Sequence, residues 1–295
     1  MRLLIIIILL HRSLIVWSQE NITKLELISI SQLIQDDDRR FDLSGLECVD
    51  GKYYVIADKE WNNFIYEITF AQDNWFIASK ISFSINEEEL GMEALAYCNG
   101  LFYMANEDNG LIYSKGFTGK AAKLNLNFQF SGVKPWTWGN AGWEGLAIDC
   151  KQQIMYLAKE RQPRMIYQLD MKSGEILDQF NIPETHSNDF SDIAFSEGYL
   201  YLLERNGNYI TKVDPSKRKV ITKGSYRHIC SYPEPDGKLY NNSPFGMAEA
   251  LILTQDEIWI GIDNNGMTVS NYARKTYNLQ GNKPVILKFK RPEGF

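Results

Sequence analysis

Histidine and cysteine are scarce in this chain, and most sequence signatures of catalysis are missing with them. Of 295 residues, three are His and four are Cys. The cysteines (Cys48, Cys98, Cys150 and Cys230) form no CxxC, and no Cys/His group has the spacing of a zinc site. No G-x-S-x-G elbow presents a nucleophilic serine. Gly-rich phosphate loops, heptads and low-complexity tracts are also absent. Positive charge is in deficit, with 31 Lys and Arg against 37 Asp and Glu and a net charge of −6, which excludes the basic face that nucleic acid requires. Long apolar runs are lacking too: Leu3 to Leu10 is far too short to span a bilayer.

That run has a different reading. Met1-Arg2, the apolar stretch, His11-Arg12 and then Ser13 to Ser18 resemble a secretory signal, with Val16-Trp17-Ser18 at the cleavage positions. We assign residues 1–18 to a signal peptide and residues 19–295 to one domain, an uncleaved anchor being the alternative. Cleavage removes two arginines and takes the net charge to −8. The expected location is secreted, extracellular or periplasmic, with no membrane span in the mature chain and no nucleic-acid partner. Asn21-Ile-Thr23 and Asn241-Asn-Ser243 are glycosylation sequons, the second followed by Pro244.

What is abundant is aromatic and β-branched sequence, and it repeats. Five times a short apolar strand opens on a small or acidic residue, turns, and returns as an aromatic-led strand closing on an acid. The copies run Ser44 to Asp58, Glu93 to Glu107, Glu144 to Glu160, Ser191 to Glu204 and Glu249 to Asp263. Their openings recur every 47 to 58 residues, the length of a four-stranded propeller blade. Asp50-Gly51 and Asn99-Gly100 are favoured two-residue hairpin turns, and Glu197-Gly198 occupies the same place. The expected fold is all-β, a single β-propeller of five four-stranded blades, with six the alternative if residues 22–42 or 264–283 hold another. After the fifth copy only Pro284 to Lys290 remains as a clear strand, so that blade is one strand short. The unassigned strand Ile22 to Ile30 is expected to complete it and close the ring.

Inner strands of a propeller line its channel, and the hairpins bring each opening residue and closing acid to the same mouth. Glu93, Glu144 and Glu249, with Ser44 and Ser191, should surround the channel, ringed by Asp58, Glu107, Glu160, Glu204 and Asp263. So many carboxylates repel one another unless a cation, protons or basic neighbours compensate. Oxygen ligands without Cys or His suit Ca²⁺ or Mg²⁺ better than zinc. The metal candidates are Glu93, Glu144, Glu160, Glu249 and Asp263. The alternative is ion pairing with Lys59, Lys159, Arg161 and Arg205, which adjoin acids in the motif. Arg161, Arg205, Arg164 and Lys59 are also candidates to contact an anionic substrate, and His186, five residues before Ser191, is the acid/base candidate. Trp136, Trp138 and Trp143 run into Glu144, placed either to stack a sugar or aromatic ligand or to seal blade against blade. The first three cysteines fall near equivalent positions of successive repeats, and spacing leaves their pairing open.

Leu43-Ser-Gly-Leu46, Trp143-Glu-Gly-Leu-Ala147, Tyr156-Leu-Ala-Lys-Glu-Arg161, and Ala248-Glu-Ala-Leu251 with Asp263-Asn-Asn-Gly266 resemble motifs of the phytase-like esterase propellers and the related SdiA-regulated proteins. The resemblance covers most of residues 40–290. It implies a secreted or periplasmic propeller, often with calcium, for which esterase or phosphoesterase activity is proposed. By motif match Glu144 with Glu160, and Glu249 with Asp263, correspond to the family's acidic positions, whereas the first and fourth repeats depart from it at Ser44 and Ser191. The expected function is a divalent-cation propeller acting as a metal-assisted (phospho)esterase, with Glu144, Arg161 and His186 as catalytic candidates. The alternative is a non-catalytic module, and the expected ligand is a small anionic ester or a glycan bound by a monomer.

Overall fold

The computed structural model describes residues 21–35, 39–58, 63–83, 91–107, 109–126, 141–230, 239–241, 243 and 246–295. The signal segment, Lys59, Trp136 and Trp138 lie outside the described residues. The fold is an all-β propeller. Its inner strands are Leu43–Val49, Met92–Cys98, Trp143–Asp149, Asp192–Ser196 and Ala248–Leu253, and each touches the next around a ring that returns from the last to the first. Each inner strand begins a four-stranded unit, and five such units are present among the described residues.

The hairpins follow from the turn residues. Asp50 and Gly51 have φ of 50° and 77°, Asn99 and Gly100 of 51° and 86°, and Glu197 and Gly198 of 54° and 84°. Two successive positive φ values match the right-handed twist of the flanking strands, and Asn, Asp and Gly adopt them most readily. The second strand of each unit, such as Ile154–Lys159 or Tyr199–Glu204, is buried almost throughout because neighbouring blades cover both of its faces. This is why these strands read as continuous apolar runs rather than alternating ones.

Among the described residues five hydrophobic clusters form the core, one between each pair of adjacent blades. Specific bonds reinforce each interface. Between the first and second blades Glu47 accepts the Tyr97 N–H at 2.9 Å. Between the second and third, Cys98 and Cys150 form a disulfide, which answers the pairing that spacing left open, while Cys48 is a free thiol. Trp143, fully buried in the same interface, donates its indole N–H to the Gly110 carbonyl at 3.0 Å, so this tryptophan seals blade against blade. Between the third and fourth blades the Phe190 N–H bonds the Glu160 carbonyl, and Tyr156 stacks on Phe195. Between the fourth and fifth, Asp192 accepts the Leu251 N–H at 2.7 Å.

Closure between the fifth and first blades uses the N-terminal segment, with one difference from expectation. The segment forms two strands. Ile22–Lys24 pairs in parallel with the outer strand of the fourth blade, and Glu26–Ile34 is the fourth strand of the fifth. Fully buried Leu25 divides them, packed in the cluster between those blades. The end of the second strand, Leu33 and Ile34, then pairs in parallel with Trp75 and Phe76 of the first blade. One short stretch thus ties three blades. Beside it Tyr53 stacks on Trp259 at 4.2 Å, and the Lys288 ammonium lies 3.7 Å from the Trp259 ring and 4.8 Å from that of Trp75. Residues 264–283 hold no additional blade: they contain a short helix, Asn271–Tyr277, capped by the Ser270 side chain.

Two outcomes follow. Starting the chain at Ser31 removes the pairing with the fourth blade and most of that with the fifth, so the melting temperature should fall far more than trimming an ordinary terminus causes. Melting like that of the full mature chain would show that closure lies elsewhere. Lys288→Ala should cost about 1–2 kcal/mol through loss of a partly desolvated cation–π contact, measurable by denaturant titration.

Candidate functional site

At one end of the channel lies a cavity of about 490 Å³ whose lining is almost wholly charged. Asp42, Asp58, Glu93, Glu107, Glu144, Asp189, Glu249 and Asp263 supply eight carboxylates, and Arg40, Arg161 and Arg205 supply three guanidiniums. Ser44, Asn206 and Asn265 complete the lining.

Bulges aim the opening residues into it. In the first, second, third and fifth blades the inner hairpin skips one residue: Ser44, Glu93, Glu144 and Glu249 respectively. A bulge leaves its extra residue outside the ladder and turns the side chain away from the regular alternation. The next residue is small, Gly45, Ala94, Gly145 or Ala250, because the neighbouring blade presses on it. A Cβ on Gly145 would stand 2.7 Å from the Ile193 amide nitrogen. The fourth blade has no such bulge, and Ser191 bonds the Leu203 carbonyl without lining the cavity.

Two acids that the sequence reading passed over compensate for the two serines. Asp42 precedes Ser44 by two residues and Asp189 precedes Ser191 by two, and both line the cavity. The corresponding positions in the other repeats are Gly91, Gly142 and Met247. Where the opening acid is missing, it has moved two places upstream, so every blade contributes a carboxylate from this part of its sequence. The signal was present in Asp42-Leu-Ser44 and Asp189-Phe-Ser191, but alignment on the serine concealed it. Arg40, Asn206 and Asn265 were also missed, since all three lie outside the repeated strands.

Of the residues expected at the site, Glu93, Glu144, Glu249, Asp263 and Arg161 line the cavity. Glu160 lies behind the wall, with no solvent exposure, and bonds Arg161 and Arg205. Glu107, Glu144 and Glu160 each place a carboxylate oxygen within 4.8 Å of the others, and all three residues are buried. His186 is not among the lining residues; its ring stacks on Tyr209 at 4.3 Å. The cause is Glu204, which was expected in the acid ring but instead accepts the backbone N–H groups of His186 and Ser187 and the Thr211 hydroxyl. Glu204 therefore anchors the loop that carries Asp189, and Arg164 secures its other side through the Ser187 and Ile182 carbonyls.

Arg205 occupies the centre of the charge network. It donates to Glu160, to Glu249 Oε1 at 2.6 Å and to Asp189 Oδ2 at 3.4 Å. Burial alone would lower its pKa, but Glu249, Glu144, Glu160 and Asp189 override that and hold the guanidinium well above its ordinary value. Burial raises the carboxyls in turn. Glu144 is pushed well above the ordinary range, with Arg205 opposing and Glu93, Glu249 and Glu160 adding to the rise. Glu249 is raised to about 7, and burial with neighbouring Asp42 drives Asp263 well up. Even with Arg205 bound, Glu160 Oε2 and Glu249 Oε2 are buried without a hydrogen-bond partner. Unfilled carboxylate oxygens in an acidic, hard-donor cavity fit a divalent cation such as calcium or magnesium.

The fold has relatives among solved structures. Glutaminyl cyclase from Myxococcus xanthus superposes with a TM-score of 0.59 at 8% identity, covering 93% of this chain and 100% of that one. A streptogramin B lyase superposes with a TM-score of 0.51 at 13% identity, covering 88% of this chain and 97% of the other. At such identities the likeness establishes the propeller fold. No curated protein matches the sequence significantly. Residues 91–224, which span the second and third blades and most of the fourth, are similar to the model of the SdiA-regulated family.

Proposed function

We propose that the channel mouth binds a divalent cation and that the protein is a metal-assisted hydrolase of small anionic esters. The observation that supports this reading is the composition of the cavity, where eight carboxylates face three guanidiniums. Five negative charges in excess require a counter-cation or protons, and hard oxygen donors favour the alkaline-earth ions. Glu107, Glu144 and Glu160 would hold the ion, with Glu93, Glu249 and Asp263 adding negative charge around it. Such an ion supplies Lewis-acid polarisation of an ester oxygen.

The remaining chemistry belongs to side chains. Arg161 is anchored by Glu160 yet keeps 31% of its side chain exposed, which suits it to hold the anionic part of a substrate and to stabilise developing negative charge. Arg40 is 38% exposed, is fixed by Asp42 at 2.6 Å and also bonds Asn265. It offers a second guanidinium on the cavity wall. Glu249, raised to about 7, is suited to hold or release a proton near neutral pH, and His186 would require the loop held by Glu204 to move before serving that role. Secretion agrees with the Cys98–Cys150 disulfide, which an oxidising compartment maintains. No helix among the described residues is long and apolar enough to cross a membrane.

Added Ca²⁺ should raise the melting temperature and chelator should lower it, because ligand bound to the native state alone stabilises that state. Glu144→Gln combined with Glu249→Gln should abolish the response. On a panel of phosphate and carboxylate esters, Arg161→Ala should reduce kcat/KM about 100-fold or more with little change in melting temperature. Absence of turnover across the panel with calcium bound would leave a non-catalytic binding module.

The same site predicts a pH dependence. In chelator, Glu249 has a folded pKa of about 7 against an ordinary 4.5, so the native state binds more protons than the unfolded chain between these values. The stability it contributes is complete below about 4.5 and is lost as pH rises through 7. Glu47, whose burial outweighs its two backbone hydrogen bonds and raises it to about 7, adds the same slope from within the channel. Saturating calcium should flatten the mouth's part and leave that of Glu47, which thermal melts from pH 4 to 8 with and without calcium would resolve.

A further inference from the structure

We propose that Arg205 is a tethered counter-cation that competes with the divalent ion for the carboxylates of the mouth, so that a side chain of the fourth blade limits the metal affinity of the site. The inference rests on the reading of the mouth as a cation site and concerns how that site is regulated.

The geometry divides the acids into two overlapping sets. Glu107, Glu144 and Glu160 converge with oxygens inside 4.8 Å. Arg205 gathers Glu160, Glu249 and Asp189. Glu160 belongs to both sets. It bonds the arginines through Oε1, while Oε2 has no hydrogen-bond partner although the residue has no solvent exposure. Glu249 repeats the arrangement, with Oε1 on Arg205 and Oε2 unfilled. Each of these two carboxylates therefore gives one oxygen to the guanidinium and retains one.

A guanidinium donates only in its own plane, along the directions of its fork, and cannot fill oxygens on several sides. A hard divalent ion takes six to eight oxygens in flexible geometry and can. The two cations draw on one carboxylate and repel each other in a poorly solvated cavity, so the presence of one weakens the other.

Arg205 is also fixed in place. Its side chain is 12% exposed, the Asn206 side chain accepts the Gly246 N–H at 2.8 Å, and a Cβ on Gly246 would come within 2.1 Å of the Arg205 carbonyl oxygen. The fifth blade clamps the backbone at this point, which makes the competitor a permanent part of the wall. An arrangement of this kind keeps the acid ring folded when no ion is bound and sets the ion concentration at which metal takes over.

Calcium titration of the full mature chain by calorimetry tests this. Arg205→Met, which keeps the length of the side chain and removes the charge, should bind calcium about 10- to 100-fold more tightly than the unsubstituted protein, while Arg205→Lys should stay within about threefold of it. A folded Arg205→Met protein with equal or weaker affinity overturns the proposal and leaves the cation site standing. Failure of all three proteins to bind calcium overturns the cation site and this inference together. If Arg205→Met does not fold in chelator, millimolar calcium should restore its melting transition with a larger shift than the unsubstituted protein shows, and a chain that stays unfolded at every calcium concentration overturns the proposal.

Discussion

Repulsion between like charges is the constraint around which this molecule is arranged. A propeller directs the starts of its inner strands to one axis, and here those starts carry acids. Carboxylates brought so close and removed from water cannot all remain ionised without compensating charge. Arg205 meets part of the demand by bonding acids from the third, fourth and fifth blades. The excess of carboxylates over the three arginines of the cavity is what the proposed cation would balance.

The scaffold is built to bear that load. Bulges detach Glu93, Glu144 and Glu249 from their ladders, so the acids can point along the axis without disturbing strand pairing. Small residues directly after them let neighbouring inner strands approach closely. Closure matters for the same reason: a ring with a loose seam would let the acids separate, whereas the N-terminal segment joins the fourth, fifth and first blades in one continuous run. Further down the channel half-buried Glu47 and buried Asp192 each accept an amide N–H of the next blade, using carboxylates as interblade ties.

Much of this was legible in the sequence because repetition averages over local ambiguity. Asp50-Gly51 and Asn99-Gly100 announced their hairpins, and three glutamates in equivalent places announced the mouth. What remained hidden was whatever broke the repeat. Asp42 and Asp189 stand two residues from the expected position, and nothing in local pattern says that a carboxylate there reaches the same space. His186 was near the site in sequence, but the bonds from its own amide and that of Ser187 to Glu204 turn its loop to another purpose. The N-terminal strand was identified, yet its division at Leu25 depends on a pocket formed by distant blades. Arg205 read equally well as a substrate contact or as an ion-pair partner, and only the three-dimensional convergence of its acids decides between these roles.

The cation proposed for the channel mouth can be sought in the protein itself. Elemental analysis of the purified mature protein, equilibrated with calcium and then freed of excess by gel filtration, tests for it most directly. At least one calcium per chain should be retained, and it should be lost when Glu144 and Glu160 are both replaced by glutamine. Protein that is folded and carries no divalent ion above buffer background would contradict the proposal.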